Sequence, residues 1–143
     1  KIGLDNIFLQ THSTNPLLRK ETLTNAIKQF YKHFAKDNEI SLFSSNSLKS
    51  RLYDVNLRPI NHDPNNLMRT QDLDVVYEEN SCFYLFGGNG FMKKSNRITE
   101  KSYVFPMPRN SLESIDIDDP DDWLLTEQII ITQNKKNKEF PKI

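Results

Sequence analysis

The sequence predicts an α/β fold, and its N-terminal part carries the pattern on which this prediction rests. A short apolar segment at residues 7–9 is typical of a buried strand, and residues 40–44 repeat that pattern. Between them, from about Lys20 to Ala35, apolar residues recur at spacings of three and four and form one face of a predicted helix. A strand, a helix and a strand in this order predict a βαβ unit with a right-handed crossover.

Two aromatic segments predict further strands, at Cys82–Phe86 and at Tyr103–Phe105. The glycine-rich segment Gly87–Gly90 follows the first of them but lacks the Gly-Lys-Ser/Thr ending of a phosphate-binding loop, so we interpret it as a turn. No other segment of the sequence could form a glycine-rich phosphate cradle.

A polar segment from Ser45 to Asn80 interrupts the predicted strands. It is rich in Asn, Asp, Arg and Pro and has only short apolar pieces, which indicates an irregular excursion from the main sheet. Long excursions of this kind usually serve binding or assembly.

The composition limits the classes of protein to consider. The 143 residues suffice for one domain, and the formal net charge of zero gives no indication of a nucleic-acid-binding surface. No apolar run is long enough to cross a membrane, and no signal peptide is evident. Cys82 is the only cysteine, which excludes an internal disulfide and favours a reducing, cytoplasmic location. Because Lys1 almost directly precedes the first strand, we expect that strand to have further neighbours in a larger fold.

The segment Ser114–Asp118 suggests a metal site. As a strand, it would carry Asp116 and Asp118 on one face and isoleucines on the other. Two neighbouring carboxylates repel each other, and a divalent cation between them relieves the repulsion. Mg²⁺ typically takes one or two carboxylates together with substrate phosphates, which favours a nucleotide-handling site.

A helix is predicted to follow, from Pro120 to about Thr132. Asp119 suits its N-cap and Pro120 its first position. Asp121 and Asp122 fall in the first turn, where the helix dipole favours acidic residues. We expect the Lys- and Asn-rich tail, residues 133–143, to fray.

Several isolated residues leave their roles open. The loop Thr11–Pro16 could bind a polyhydroxylated ligand or be an ordinary polar loop. Cationic side chains of the excursion could meet an anionic ligand or remain solvated; they are Lys49, Arg51, Arg58 and Arg69. We expect His33 to be structural, His62 to be solvated and Cys82 to be a small buried residue.

Four blocks in order resemble motifs of the acylneuraminate cytidylyltransferases, the CMP-sialic acid synthetases. His12–Leu17 resembles the Gln-Pro-Thr-Ser-Pro-Leu loop of the family, and Arg69–Leu73 resembles Arg-x-Gln-x-Leu. Asn80–Tyr84 resembles Asn-Gly-x-x-Tyr, and Ser114–Asp118 matches Ser-Ile-Asp-Ile-Asp. Ser47–Lys49 is similar to a Pro-Leu-Lys segment whose lysine faces the sugar. The resemblance extends over nearly the whole chain.

Three positions depart from the motifs of the family. His12 replaces the sugar-binding glutamine, Asp74 stands where proline is usual, and Ser81 replaces glycine. Together with Glu78 and Glu79, the change at His12 leaves the identity of the sugar open.

The resemblance implies a reaction in which the anomeric hydroxyl of a nonulosonic (sialic-type) acid attacks the α-phosphate of CTP, giving the CMP-sugar and pyrophosphate. It implies that Asp116 and Asp118 are the catalytic carboxylates and hold Mg²⁺, with Mn²⁺ as an alternative. The substrate-binding residues that it implies are His12, Thr14, Asn15, Lys49, Arg69, Asn80 and Tyr84.

The resemblance also implies a Rossmann-like nucleotide-diphospho-sugar transferase fold with three α/β/α layers, of which residues 1–143 form a single, N-terminally truncated domain. The CTP-binding loop that opens the family's sequences has no counterpart here, so we expect this chain alone to be inactive. Homodimers are implied, with residues 45–80 reaching the partner's site. Two alternatives remain: a synthetase for a legionaminic, pseudaminic or other 2-keto sugar acid, and a non-catalytic assembly domain.

Overall fold

The computed structural model describes residue 3 and residues 5–108 and 111–139, and these residues form a mixed α/β structure. Its regular elements are β1 (Ile7–Thr11), α1 (Lys20–Phe34), β2 (Ser41–Leu48), β3 (Val76–Gly87), α2 (Gly88–Lys94), β4 (Ser102–Pro106) and α3 (Pro120–Glu139). The predicted α/β class, the first helix and the four strands in this part of the chain are thereby confirmed.

The four strands form one sheet in the order β1-β3-β2-β4. β3 is antiparallel to both β1 and β2, whereas β2 and β4 are parallel. β1, β2 and β4 therefore run in one direction, and their carboxyl ends lie at the same edge of the sheet. The predicted unit of β1, α1 and β2 has parallel strands, but β3 lies between them.

Helix α1 covers one face of the sheet. Ala26 and Phe30 of the helix are fully buried and pack into one cluster with strand residues that include Leu42, Phe83 and Leu85. His33 lies on the same helix, and its ring stacks on that of Tyr103 at 3.8 Å, which confirms a structural role.

The start of α1 is capped from a distant part of the chain. Arg19 precedes the helix and offers no side-chain cap of its own. Its backbone N–H donates to the buried carboxylate of Glu113 over 2.9 Å. A carboxylate at this place satisfies a free N–H group and meets the positive end of the helix dipole. This contact fixes the segment that precedes the aspartates against α1.

A bulge divides β3 into two parts. Tyr84 pairs with Phe43 and Glu79 pairs with Ser45, so that residues 80–83 stand opposite Ser44 alone. Ser81 adopts a left-handed conformation, with φ of 57°. Such an insertion bends a strand and redirects its side chains. Beyond the bulge, β2 and β3 continue as a two-stranded ribbon into the excursion.

The excursion is shorter than predicted because regular pairing reaches Leu48 and resumes at Val76. It folds onto itself through an isolated bridge between Tyr53 and Pro59. The prediction of a solvated His62 was wrong: its ring packs edge-on against Tyr53, and both ring nitrogens are buried without a hydrogen-bond partner.

The glycine-rich segment is helical, so its prediction as a turn was wrong. Gly88, Asn89 and Gly90 form the first turn of α2. A Cβ atom at Gly87 or Gly90 would overlap the carbonyl oxygen of Asn38 or Glu39, respectively. The glycines thus allow two backbone segments to approach closely.

Helix α3 begins as predicted and runs further than predicted. Oδ1 of Asp119 accepts hydrogen bonds from the N–H groups of Asp121 at 2.8 Å and Asp122 at 3.0 Å, which confirms Asp119 as the N-cap. The helix continues to Glu139 because the Lys, Asn, Gln and Glu residues of the tail are compatible with helix. Residues 140–143 of the predicted frayed tail lie outside the described residues.

Candidate functional site

Two segments that lie about a hundred residues apart in sequence meet at the carboxyl end of β1. The N–H of Ile117 donates to the carbonyl oxygen of Thr14 over 2.9 Å. Nδ2 of Asn15 donates to the carbonyl oxygen of Ile115 over 3.1 Å. The loop after β1 and the aspartate segment, two of the predicted site motifs, are therefore joined directly.

The aspartate segment is not a strand, which corrects the prediction for Ser114–Asp118. A short 3-10 helix, Leu112–Ser114, starts where the hydroxyl of Ser111 accepts the N–H of Glu113. From there to residue 139, the end of the described range, no strand follows. The segment bonds to the Thr14 loop instead of a strand. The shared face inferred from strand alternation therefore does not apply: Asp116 is half-buried and Asp118 is exposed.

The carboxylate of Asp116 has an unusual environment. Its Oδ1 atom is buried and has no hydrogen-bond partner, and the same holds for Oδ1 of Asn15. Leaving a buried acceptor unpaired costs about 1–3 kcal/mol, and more for a charged group. A hard divalent cation such as Mg²⁺ binds oxygen ligands and would pair with these atoms. The Asp116 carboxylate therefore fits a role as metal ligand.

Asp118 is the second of the two predicted metal ligands. Its backbone N–H donates to the Asp122 carboxylate over 3.1 Å, which ties it to the start of α3. Within the described ranges, no three His, Cys, Asp or Glu side chains gather as a metal site. Asp116 and Asp118 therefore stay predicted ligands, and Mg²⁺ commonly takes one or two carboxylates when phosphates supply further ligands.

Tyr84 lies just after the bulge, beside Gln10 of β1. Its hydroxyl donates to Glu79, lies 3.1 Å from Oγ of Ser81 and accepts a hydrogen bond of 3.0 Å from Nη2 of Arg97. The Arg97 guanidinium also lies over the ring, 3.7 Å from its centroid. Burial and then the bond to Glu79 raise the pKa of the Tyr84 phenol, which keeps the hydroxyl protonated.

His12 borders the same group of side chains. Its ring centroid is 6.3 Å from that of Tyr84, and its Nε2 atom is 3.5 Å from Nε2 of Gln10. His12 is half-buried. The structure thus brings together the predicted residues His12 and Tyr84.

Asn80 belongs to a chain of amide contacts at the bulge. Its Nδ2 donates to Oδ1 of Asn46 over 3.0 Å, and Nδ2 of Asn46 donates to Glu78 over 3.0 Å. Its Oδ1 accepts the N–H of Cys82 over 3.4 Å. These bonds fix the Asn80 side chain between β2 and β3.

A polar cleft of about 440 Å³ opens at the carboxyl ends of β2 and β4. Its walls are formed by Asn46, Ser47, Leu48, Lys49, Ser50, Val75, Met107, Pro108, Ser111 and Ser114. Lys49 contributes a positive charge, and its Nζ donates to the carbonyl oxygen of Gln71 over 2.7 Å. Ser114, the first residue of the aspartate segment, also lines the cleft. Ligands commonly bind at this edge of α/β sheets.

Arg69 does not line the cleft and is exposed on the excursion. Its Nε donates to Oδ2 of Asp72 over 2.8 Å, and a second guanidinium nitrogen lies 3.3 Å from the other carboxylate oxygen. The structure therefore does not bring Arg69 to the aspartate segment of its own chain.

Cys82 is a fully buried residue, as predicted. Its thiol lies 3.7 Å from the carbonyl oxygen of Glu113. Burial first, and then the charges of Asp116 and Glu113, raise its pKa to about 11. A thiol in this state is not a nucleophile near neutral pH.

Sequence reasoning missed two residues of this region, Arg97 and Glu113. Arg97 lies between α2 and β4 and matches no motif. Glu113 lies next to the aspartate motif, but nothing in the sequence marks it as a cap for α1. Only the folded chain reveals both contacts, because each partner is distant in sequence.

A comparison with models of known protein families finds no match, and a comparison with curated proteins finds no match either. In the part of the chain that the structure describes, every helix is too short or too polar to cross a bilayer. The functional assignment therefore rests on the residues of this chain and their geometry.

Proposed function

We propose that this chain carries the sugar- and metal-binding part of a cytidylyltransferase that transfers CMP from CTP to a nonulosonic acid. The observation that carries the proposal is the meeting of the Thr14–Asn15 loop with Ile115–Ile117. In the family that the sequence resembles, these two motifs hold the sugar and the metal. Their direct contact is the arrangement that the reaction needs, because the attacking hydroxyl must lie beside the metal. The Rossmann-like transferase fold is part of the same proposal.

Asn15, Asp116 and Asp118 have different roles in this reaction. Asn15 holds the backbone beside Asp116, and the Asp116 carboxylate, with its unpaired Oδ1, would hold Mg²⁺ together with Asp118. When bound, Mg²⁺ neutralises phosphate charge and lowers the pKa of the attacking hydroxyl. The sugar oxygen forms a bond to the α-phosphorus while the bond to the β-phosphate oxygen breaks. Pyrophosphate leaves, and the hydroxyl proton is lost to solvent.

Polar side chains of the loop after β1 and of the bulge bind the sugar. Thr14, His12 and Asn80 offer hydroxyl, imidazole and amide groups to the hydroxyls of the substrate. Lys49, in the wall of the cleft, offers a cation to a carboxylate or phosphate. The alternative substrate is a legionaminic, pseudaminic or other 2-keto sugar acid, because His12 replaces the glutamine that binds sialate in the family.

We propose that the chain acts as a homodimer through its excursion. Large apolar side chains are exposed there: Tyr53, Val55, Leu57, Ile60 and Leu67. Their proximity in one segment supports a protein interface. Arg69, which is exposed, would then be available to the site of a neighbouring chain. The same apolar surface supports the second candidate function, a non-catalytic domain that serves assembly.

The metal claim is tested by titrating Mn²⁺, in the presence of CTP, into the parent chain and into the variant Asp116→Asn. Loss of one carboxylate charge from a two-carboxylate site is expected to weaken the affinity by roughly tenfold or more. Asp121→Asn is the matched control, because Asp121 is exposed in the first turn of α3 and should leave the affinity unchanged. Equal Mn²⁺ affinities in the parent and in Asp116→Asn would contradict the proposal.

A further inference from the structure

Arg97 is held in an ordered position without a carboxylate partner. Its guanidinium lies 3.7 Å from the centroid of the Tyr84 ring, and its Nη2 donates to the Tyr84 hydroxyl over 3.0 Å. Among the described residues, the ion pairs within 4.0 Å do not involve Arg97. A cation–π contact and one hydrogen bond thus hold the side chain in place, and among the described residues the Tyr84 hydroxyl is the one acceptor for its five N–H donors.

The position of Arg97 changes what a ligand would meet. Tyr84 has no exposed area, whereas Arg97 is half-exposed above it. The surface at this place therefore presents a guanidinium where the sequence motif predicts a tyrosine. The ring of His12 lies 6.3 Å from that of Tyr84 and adds a second polar side chain near Tyr84.

The charges around Arg97 leave it able to bind an anion. Glu79 is bound to the Tyr84 hydroxyl and is separated from the guanidinium by that hydroxyl. An ordered guanidinium binds carboxylate through two parallel hydrogen bonds more specifically than a lysine does. The nonulosonic acid carries one carboxylate, close to its reacting carbon.

We propose that Arg97 binds the carboxylate of the sugar substrate and determines the preference for an acid over a neutral sugar. This inference rests on the proposed function, and it makes Tyr84 a positioning residue that orients the guanidinium. A phosphate of CTP has similar anionic oxygens, so the test must separate the two sources.

The test compares the affinity of the chain for N-acetylneuraminic acid and for its methyl ester, measured by ligand-observed NMR. We expect the parent chain to prefer the acid by about tenfold, since a charge-assisted hydrogen bond contributes roughly this factor or more. Arg97→Gln should lose the preference while its affinity for the ester stays within about twofold of the parent's. Arg97→Lys should fall between them, because it keeps the charge and loses the planar fork.

Lys28→Gln is the matched control, because it removes one positive charge from the exposed side of α1. It should keep the full preference for the acid. A general loss of structure would weaken acid and ester binding together, so the ratio of the two affinities isolates the role of the guanidinium. If Arg97→Gln does not fold, Arg97→Lys still tests the preference.

Two results, both measured without CTP, would overturn the inference: no binding of the acid by the parent, or an unchanged preference for the acid in the Arg97 variants. CMP transfer is measured separately on the full-length gene product. If the preference for the acid depends on Arg97 but no CMP transfer occurs, the proposed reaction is contradicted and the role of Arg97 stands. If CMP transfer occurs and the Arg97 variants keep the preference for the acid, the role of Arg97 is contradicted and the proposed reaction stands.

Discussion

Asp116 and Arg97 differ in what the sequence reveals about them. Asp116 lies in a compact motif, so residue types and spacing alone predict its role as a metal ligand. Arg97 has no such signal, because its partner Tyr84 lies in another element and the contact arises only after folding. The sugar contacts of Thr14 and Asn15 come from the family resemblance alone, and they stay a prediction. The hydrogen bonds that join Asn15 to Ile115 and Thr14 to Ile117 could not be predicted from the sequence.

Cys82 yields a prediction on pH and reactivity. Its thiol has a pKa near 11 in the folded chain, against 9.0 for an exposed thiol. At pH 9 the thiolate fraction is therefore lower by roughly fifty-fold in the folded chain. We expect iodoacetamide to alkylate Cys82 at least that much more slowly in buffer than in urea. Equal rates would show that the thiol is accessible.

The same pKa difference determines how the free energy of unfolding changes with pH. The folded chain binds the thiol proton more tightly than the unfolded chain does, because burial disfavours the thiolate. This contribution is complete below pH 9 and is lost as the pH rises towards 11. The free energy of unfolding of the parent should therefore fall over this range relative to that of Cys82→Ala.

At the scale of elements, the sequence predicted what depends on local periodicity. Helix α1 follows from spacings of three and four, and the strands follow from apolar and aromatic runs. The glycine segment was misread because a turn and a close helix–backbone contact both require glycine. The aspartate segment was misread because alternation cannot reveal whether a neighbouring strand is present. The distant cap from Glu113 and the Thr14 loop determine its conformation.

The bulge of β3 depends on one hydroxyl. Oγ of Ser44 accepts the N–H of Phe83 over 3.0 Å and donates to its carbonyl oxygen over 3.2 Å, and all three groups are buried. Ser44→Ala would leave both backbone groups unpaired and should lower the free energy of unfolding by about 1–3 kcal/mol. Urea unfolding measures the change. Ser47→Ala, at an exposed position of β2, should change it little; a similar loss in both variants would contradict the account of the bulge.

At the scale of the whole molecule, the exposed apolar side chains of the excursion predict self-association. Leu67 is 88% exposed and Val55 is 95% exposed, although both are apolar. If the excursion forms the dimer interface, Leu67→Glu should weaken dimerisation by about tenfold or more, because it buries a charge. Light scattering after size-exclusion chromatography gives the molar mass.

Met92→Glu is the control for that experiment, since Met92 is an exposed apolar residue of α2, outside the excursion. It should leave the dimer intact. A parent chain that is monomeric at high concentration, or a dimer that Leu67→Glu leaves unchanged, would contradict the proposed homodimer.

The central claim is that the aspartate segment and the Thr14–Asn15 loop form one site for CMP transfer. The most direct measurement incubates the full-length gene product with CTP, Mg²⁺ and a panel of nonulosonic acids, and detects CMP-sugar and pyrophosphate by chromatography. We predict equimolar CMP-sugar and pyrophosphate with at least one acid, and a rate at least about a hundredfold lower for Asp116→Asn. No CMP-sugar from any acid, or an equal rate in Asp116→Asn, would contradict the claim.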